Sequence, residues 1–194
     1  MTARKKVGAA FGPVVMGVDP AGEGKDRTAF VWRQGEKMLA YDTRQGMDEM
    51  DIVGYIVKEL NGAVDQAMID GIGLGSGIIS RLKELGYAAK IKNVKGSNKA
   101  NNSQRYINKR AECWGDMKEW LQEGSLIDDD VVHMDLTSLL WKYDSSGRVQ
   151  LESKQDMRRR GVSSPDVADA LSYTFAYSVM PEGAKVIVKK DNIW

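Results

Sequence analysis

Apolar positions along this chain follow two periods, and the switches between them mark out the elements. Val14 to Val18 is a short, continuous, β-branched run closed by Asp19-Pro20, the pattern of a buried strand. Thr28 to Gln34 and Lys37 to Thr43 read as two more strands joined by a tight turn at Gly35-Glu36, which makes an antiparallel meander. From Met47 the spacing becomes helical: Met47, Met50, Ile52, Val53, Ile56, Val57 and Leu60 recur on one face, and Gly62 supplies a stop. Asp65 to Asp70 is a short strand, Ser76 to Tyr87 a helix closed by Gly86, and Ala88 to Val94 another strand. Asn102 to Gly124 reads as one long amphipathic helix carrying Tyr106, Ile107, Ala111, Trp114, Met117 and Leu121, a stripe best taken as core.

Leu139 to Ser153 suggests a hairpin turning at Ser145-Ser146-Gly147. Ser163 to Val179 reads as a final helix with Ser164 as N-cap and Pro165 at its first position. The order is three strands, helix, strand, helix, strand, helix, hairpin, helix. A meander followed by alternating strands and helices predicts an α/β fold, a mixed sheet with antiparallel and parallel parts flanked by helices, with the hairpin as an extra. That is the element order of the ribonuclease H-like fold. The chain reads as a single domain, 1–194, with its core over about 14–179 and tails at 1–13 and 181–194. Met1 to Phe11 reads as a linker or start.

Composition narrows the function mainly by exclusion. No apolar run approaches the roughly 18 residues of a membrane span. The basic, Gly-rich start is not a signal peptide. One cysteine, Cys113, excludes an internal disulfide and a cysteine-based zinc site, and the lone His133 excludes a multi-histidine metal site. A formal net charge of +1 hides a segregation. Lys90, Lys92, Lys95, Lys99, Arg105, Lys109 and Arg110 follow one another without an acid, and a second basic knot runs from Lys154 to Gly161. Acids gather elsewhere, as at Asp128 to Asp130. Two basic clusters in a near-neutral chain lean toward a polyanionic partner, against the plainer reading of solvated faces.

Two Gly-rich loops invite phosphate-binding readings, and both fail. After Gly24-Lys25 comes Asp26 where a phosphate-binding loop needs Ser or Thr, its first glycine position is Asp19, and a strand rather than a helix follows. In Ile69 to Gly77 a dinucleotide fingerprint would need glycine at Ser76 or at Ile78. What the loops share is an aspartate at the end of an apolar strand, Asp19 in one and Asp70 in the other. Adjacent parallel strands would bring these carboxylates out at one sheet edge, although Asp before Pro or Gly is also ordinary turn chemistry. Asp166 and Asp169, three apart, share a helix face away from Val167, Leu171 and Phe175. Asp166 doubles as a first-turn acid favoured by the helix dipole. Asp169 lies in an apolar setting where an unpaired carboxylate is costly and a cation would relieve it. Carboxylates from two strand ends and a helix suit hard divalent cations, Mg²⁺ or Mn²⁺, and two ions roughly 3.5–4 Å apart clamp an in-line phosphoryl displacement.

The blocks "GVDPAGEGKDRTA", "IDGIGLGSG", "INKRAECWGDMKEWLQEG" and "LESKQDMRRRGVSSPDVADAL" together resemble the nuclease domain of phage large terminases, the DNA-packaging motors of tailed bacteriophages. The likeness runs in the family's order from about Val14 to Val179, and the basic stretch leading into Ser-Pro-Asp is its most specific part. It implies a ribonuclease H-like endonuclease that cuts concatemeric double-stranded viral DNA during packaging by two-metal hydrolysis. By position Asp19, Asp70 and Asp169 resemble the three metal-binding and catalytic acids, with Asp166 an auxiliary ligand or orienting group. Asp26 stands as a partner behind the site or as a turn residue. Lys95, Lys99, Arg105, Lys109, Arg110, Arg158, Arg159 and Arg160 become the expected DNA phosphate contacts, with Asn101 and Asn102 as loop residues that touch the backbone or merely turn. The family's ATPase motifs are not in this sequence, so the reading is of the nuclease half alone. In the full system its partners would be the ATPase domain, the small terminase subunit and the portal, in the host cytoplasm and away from membranes. The competing readings are a junction resolvase, a transposase core or ribonuclease H proper, a catalytically silent DNA-binding or assembly module, and, at about twice the length, an actin-like ATPase.

Overall fold

The computed structural model describes residues 3–22 and 26–180. The glycine-rich tip around Gly24-Lys25 and the expected tail from Pro181 lie outside the described residues. Five strands form one mixed sheet in the order β3-β2-β1-β4-β5. Strand β1, Val14–Asp19, is central, and its unbroken apolar run is explained by burial on both faces. β2 (Arg27–Gln34) pairs antiparallel with β1, from Val14 against Gln34 to Asp19 against Ala29. β3 (Lys37–Gln45) continues the meander antiparallel to β2, with the register shifting at Trp32/Arg33. β4 (Gln66–Asp70) pairs parallel with β1, and β5 (Ile91–Val94) parallel with β4. The Asp19 loop therefore joins two antiparallel strands, as a hairpin loop does and a strand-to-helix phosphate loop does not.

Alternation along the strands divides the core. Met16, Val18, Phe30 and Ile69 face α1 (Glu49–Leu60) and α2 (Leu74–Glu84) through Ile52, Ile56, Ile78 and Leu82. Asp48 caps α1 in a reciprocal box with Asp51. On the opposite face Ala29, Val31, Val15 and Met68 meet α3 (Lys109–Trp120), α4 (Asp130–Ser138) and α6 (Asp166–Tyr173). A separate two-stranded hairpin, β6 (Trp141–Tyr143) and β7 (Val149–Leu151), turns at Gly147 with φ +77, and α5 (Lys154–Arg159) follows it.

Several boundaries differ from expectation. The long helix begins at Lys109 rather than near Asn102, because Asn108 caps it by accepting from the Ala111 N–H at 2.9 Å. Tyr106 instead bridges to Val149 of the hairpin. The last helix is capped from Pro165, not by the Ser164 side chain, and stops at Tyr173. Ala88–Lys90 is a 3-10 turn, so that strand starts at Ile91. Met50 is exposed rather than part of the core. The segment before β1 is not a free tail: Arg4 pairs with Asp128 and Asp130, and Ala9 O accepts from Glu36 N.

Candidate active site

Two strand ends and one helix bring the acids together. The parallel register sets Val18 against Ile69, so the next residue on each strand is an aspartate, Asp19 on β1 and Asp70 on β4. Alternation turns both carboxylates to the face that α6 covers, the face of Val15 and Met68. Gly17, two residues before Asp19, permits the approach. A Cβ there would lie 1.8 Å from the Ala170 carbonyl oxygen, so only glycine lets α6 rest directly on β1.

That contact delivers Asp169 beside Asp19. Asp169 is fully buried, and its carboxylate is answered by protein donors. Arg110 donates from Nε to Oδ1 and from Nη2 to Oδ2, each at 3.0 Å, and Trp114 Nε1 donates to Oδ1 at 2.8 Å. The cation that relieves its burial in this structure is thus a guanidinium from α3. Lys154 of α5 donates to Asp19 Oδ2 at 2.9 Å and stands 3.5 Å from Asp169 Oδ2, one ammonium between two carboxylates. Asp70 is oriented separately: its Oδ2 accepts from the Tyr173 hydroxyl at 2.9 Å and its Oδ1 from the Ile72 N–H at 3.1 Å.

Burial raises the Asp19 carboxyl above its ordinary value; Lys154 opposes the rise, and Asp169, Asp70 and Asp166 add to it. Burial also favours neutral Asp169, but Arg110 and Lys154, with the hydrogen bonds from Arg110 and Trp114, outweigh it and hold its pKa below the usual value. Burial raises Asp70 too, against the Tyr173 and Ile72 hydrogen bonds. Three carboxylates against two cations leave the centre electron-rich. Among the described residues no three His, Cys, Asp or Glu side chains are grouped closely enough to hold a metal ion as they stand, and the Lys154 ammonium fills the space between Asp19 and Asp169.

Asp166 lies at the edge, on a cleft of about 290 Å³ shared with Asp26, Arg27 and Arg158, and makes no hydrogen bond to the other acids. Asp26 accepts from Arg158 Nη2 at 3.1 Å, which ties the β1–β2 loop to α5. The basic residues separate into distinct groups. Lys95 and Lys99 are exposed, with no ion pair among the described residues. Arg105 pairs with Glu119, Arg158 with Asp26 and Arg159 with Asp156 at the surface, and Arg160 with the largely buried Glu152. Lys109 is buried against Glu112 at 2.7 Å, and Arg110 is committed to Asp169, so neither is placed to meet a phosphate. Asn101 and Asn102 donate their backbone N–H groups to the Glu112 carboxylate, a structural role. Cys113 is buried and its thiol is pushed up to about 12, which leaves it unreactive. The sequence reading did not single out Lys154, Trp114 or Tyr173 as site residues, nor Arg110 as the counter-ion of Asp169. Lys154 carried a faint signal, as the first cation of the basic knot before the last helix.

The sequence matches no protein-family model and no curated protein. Its fold does match solved structures. The nuclease domain of the large terminase subunit gp2 of bacterial virus Sf6 superposes with a TM-score of 0.76 at 20% identity, covering 88% of this chain and 91% of that one. The large terminase nuclease of thermophilic phage G20c, solved with bound magnesium, gives 0.61 at 14% identity over 85% of this chain and 81% of that one. The nuclease domain of the Thermus phage P74-26 large terminase gives 0.59 at 12% identity over 84% and 78%. The fold of this chain is the ribonuclease H-like fold of these terminase nuclease domains.

Proposed function

We propose that this chain is a metal-dependent endodeoxyribonuclease, the nuclease domain of a phage large terminase, which cuts concatemeric double-stranded DNA during genome packaging. The observation that carries the reading is the convergence of Asp19, Asp70 and Asp169 from two adjacent parallel strand ends and the helix laid across them. Structures of similar fold include terminase nucleases, among them one solved with manganese and one with magnesium.

The chemistry of the donor set suits a hard divalent cation, since all three side chains offer carboxylate oxygens, and holding one would require the Lys154 ammonium to leave the space between Asp19 and Asp169. Asp19 and Asp169 would hold such an ion in the space that Lys154 fills, and Asp70 would complete the set from the neighbouring strand. When bound, paired divalent ions at such carboxylates supply a water of lowered pKa and stabilise the departing oxygen. The chain's own groups prepare that site. Arg110 and Trp114 fix the plane of the Asp169 carboxylate, and Tyr173 and the Ile72 N–H fix that of Asp70. Lys95 and Lys99 hold the backbone of the strand by charge alone, which positions DNA without reading its sequence. The motor ATPase, small terminase subunit and portal are the partners this role requires, in the cytoplasm of an infected cell. Among the described residues no helix is long and apolar enough to cross a membrane.

The test is cleavage of supercoiled plasmid with Mg²⁺, with Mn²⁺ and with EDTA, comparing wild type with Asp70→Ala. Cutting in either metal, lost in EDTA and reduced at least about 100-fold by the substitution, is the expected result. Equal cutting by both proteins would remove Asp70 from the site, and wild-type cutting in EDTA would remove the metals.

A further inference from the structure

The β6–β7 hairpin spends aromatic surface on solvent. Trp141 is 52% and Tyr143 63% exposed, both on one face of β6 as residues two apart must be. Their rings meet edge to face, with centroids 5.2 Å apart and planes at 87°. The hairpin's backbone hydrogen bonds and apolar packing against the body run through Val149 and Leu151 on the other strand. Beneath the two rings, between the hairpin and α3, lies a cavity of about 560 Å³ with Trp114, Met117 and Leu151 in its lining.

The surroundings of these rings are cationic. The Lys118 ammonium stands 5.6 Å from the centre of the Trp141 ring. Lys118 is exposed and has no ion pair among the described residues, whereas Lys142, between the two aromatics in sequence, points to the other face of β6 and lies near Asp156. Arg105 stands at the cavity's edge, paired with Glu119. Exposed planar rings beside an ammonium without an acid, over a cavity with an apolar floor, are the combination that holds unpaired bases: the rings stack and the ammonium meets a phosphate. A duplex keeps its bases stacked on one another and offers these rings only its phosphates.

We infer that the Trp141–Tyr143 face of the hairpin, with Lys118, is a binding site for single-stranded nucleic acid, which takes at least one unpaired base against these rings. The site goes beyond the nuclease reading and lies apart from the carboxylates. Its nearest link to them is Trp114, which lines the cavity on one side and donates to Asp169 on the other.

The experiment measures affinity in EDTA, where metal-dependent cleavage does not occur, at fixed salt. Fluorescence anisotropy follows binding of labelled oligo-dT and of a labelled duplex of equal length to the intact chain. In the double variant Trp141→Ala/Tyr143→Ala the ratio of single-strand to duplex affinity is expected to fall at least about tenfold. The pair Trp141→Phe/Tyr143→Phe, which keeps the rings, is expected to retain most of the wild-type ratio. An unchanged ratio in the alanine variant, or an equal loss in the phenylalanine variant, would overturn the inference. Loss of plasmid cutting in Asp70→Ala reads the carboxylate site by itself, so failure of one proposal leaves the other intact.

Discussion

Asp135 shows how much a single side chain decides here. It sits on α4, yet its Oδ2 accepts from the Val167 N–H at 2.8 Å, at the start of α6, a helix whose own cap position is Pro165 and lacks a side-chain bond. The helix that carries Asp166 and Asp169 is thereby capped from 32 residues away. The position is costly for a charge. Burial raises Asp135 to about 6, against the Val167 and Ala168 N–H groups and Arg27, with Asp166 adding to the rise. Between pH 4 and 6 the folded protein therefore binds more protons at this site than the unfolded chain, and stability falls as pH rises through that window. Asp19 moves in the same direction. The metal-free melting temperature is expected to fall from pH 5 to pH 7, and Asp135→Asn, whose amide still accepts from Val167, is expected to flatten the fall. A thermal melt across that range checks both, and a profile as steep in Asp135→Asn as in wild type would assign the effect elsewhere.

At the scale of elements, the contact between α6 and β1 places the site. Gly17 is its hinge point: any side chain would meet the backbone oxygen of Ala170, which cannot turn aside as a flexible side chain could. Gly17→Ala is expected to destabilise the protein by about 1–3 kcal/mol in urea denaturation, because the overpacking strains a well-filled face. It should also weaken Mn²⁺ binding, read by calorimetry, since Asp169 is lifted from Asp19. Unchanged stability would mean that α6 lies farther from β1 than described. Elements also account for what the hydrophobic pattern did not reveal. In α4 the apolar residues Val131, Val132, Met134 and Leu136 make no single buried stripe, and only Val132 is buried. In α5 a single buried residue, Met157, anchors six positions that show in the sequence only as a basic run. Both helices exist because of tertiary partners, and both supply groups that shape the site, Asp135 and Lys154.

For the whole molecule, the distribution of charge is more telling than its sum. Of the basic residues expected on DNA, Lys95 and Lys99 are exposed and without an ion pair among the described residues, whereas Arg158, Arg159 and Arg160 already have carboxylates as partners. Lys95→Ala/Lys99→Ala is expected to weaken duplex binding alike for every sequence and to lower the slope of log affinity against log salt by about 2, roughly 0.9 for each phosphate no longer neutralised. Titrations at several salt concentrations measure this, and an unchanged slope would move the DNA path off this edge.

Local pattern was enough for the meander, the strands that end in Asp19 and Asp70, the two helices over one face, the hairpin and the resulting fold, because period and turn chemistry act between near neighbours. The convergence of Asp19 and Asp70 was also legible, as it requires only that two such strands lie parallel and adjacent. The partners of the acids were not. Arg110 and Lys109 stand side by side in a run of cations with nothing local to separate them, yet one answers Asp169 and the other is buried against Glu112. Lys154 reaches Asp19 across 135 positions. Charge pairing in a folded chain depends on which side chains burial forces together, a long-range outcome of packing β1 against α6. The chain alone showed which carboxylates two strand ends and a helix could bring together, and tertiary structure decided which charges each of them faces.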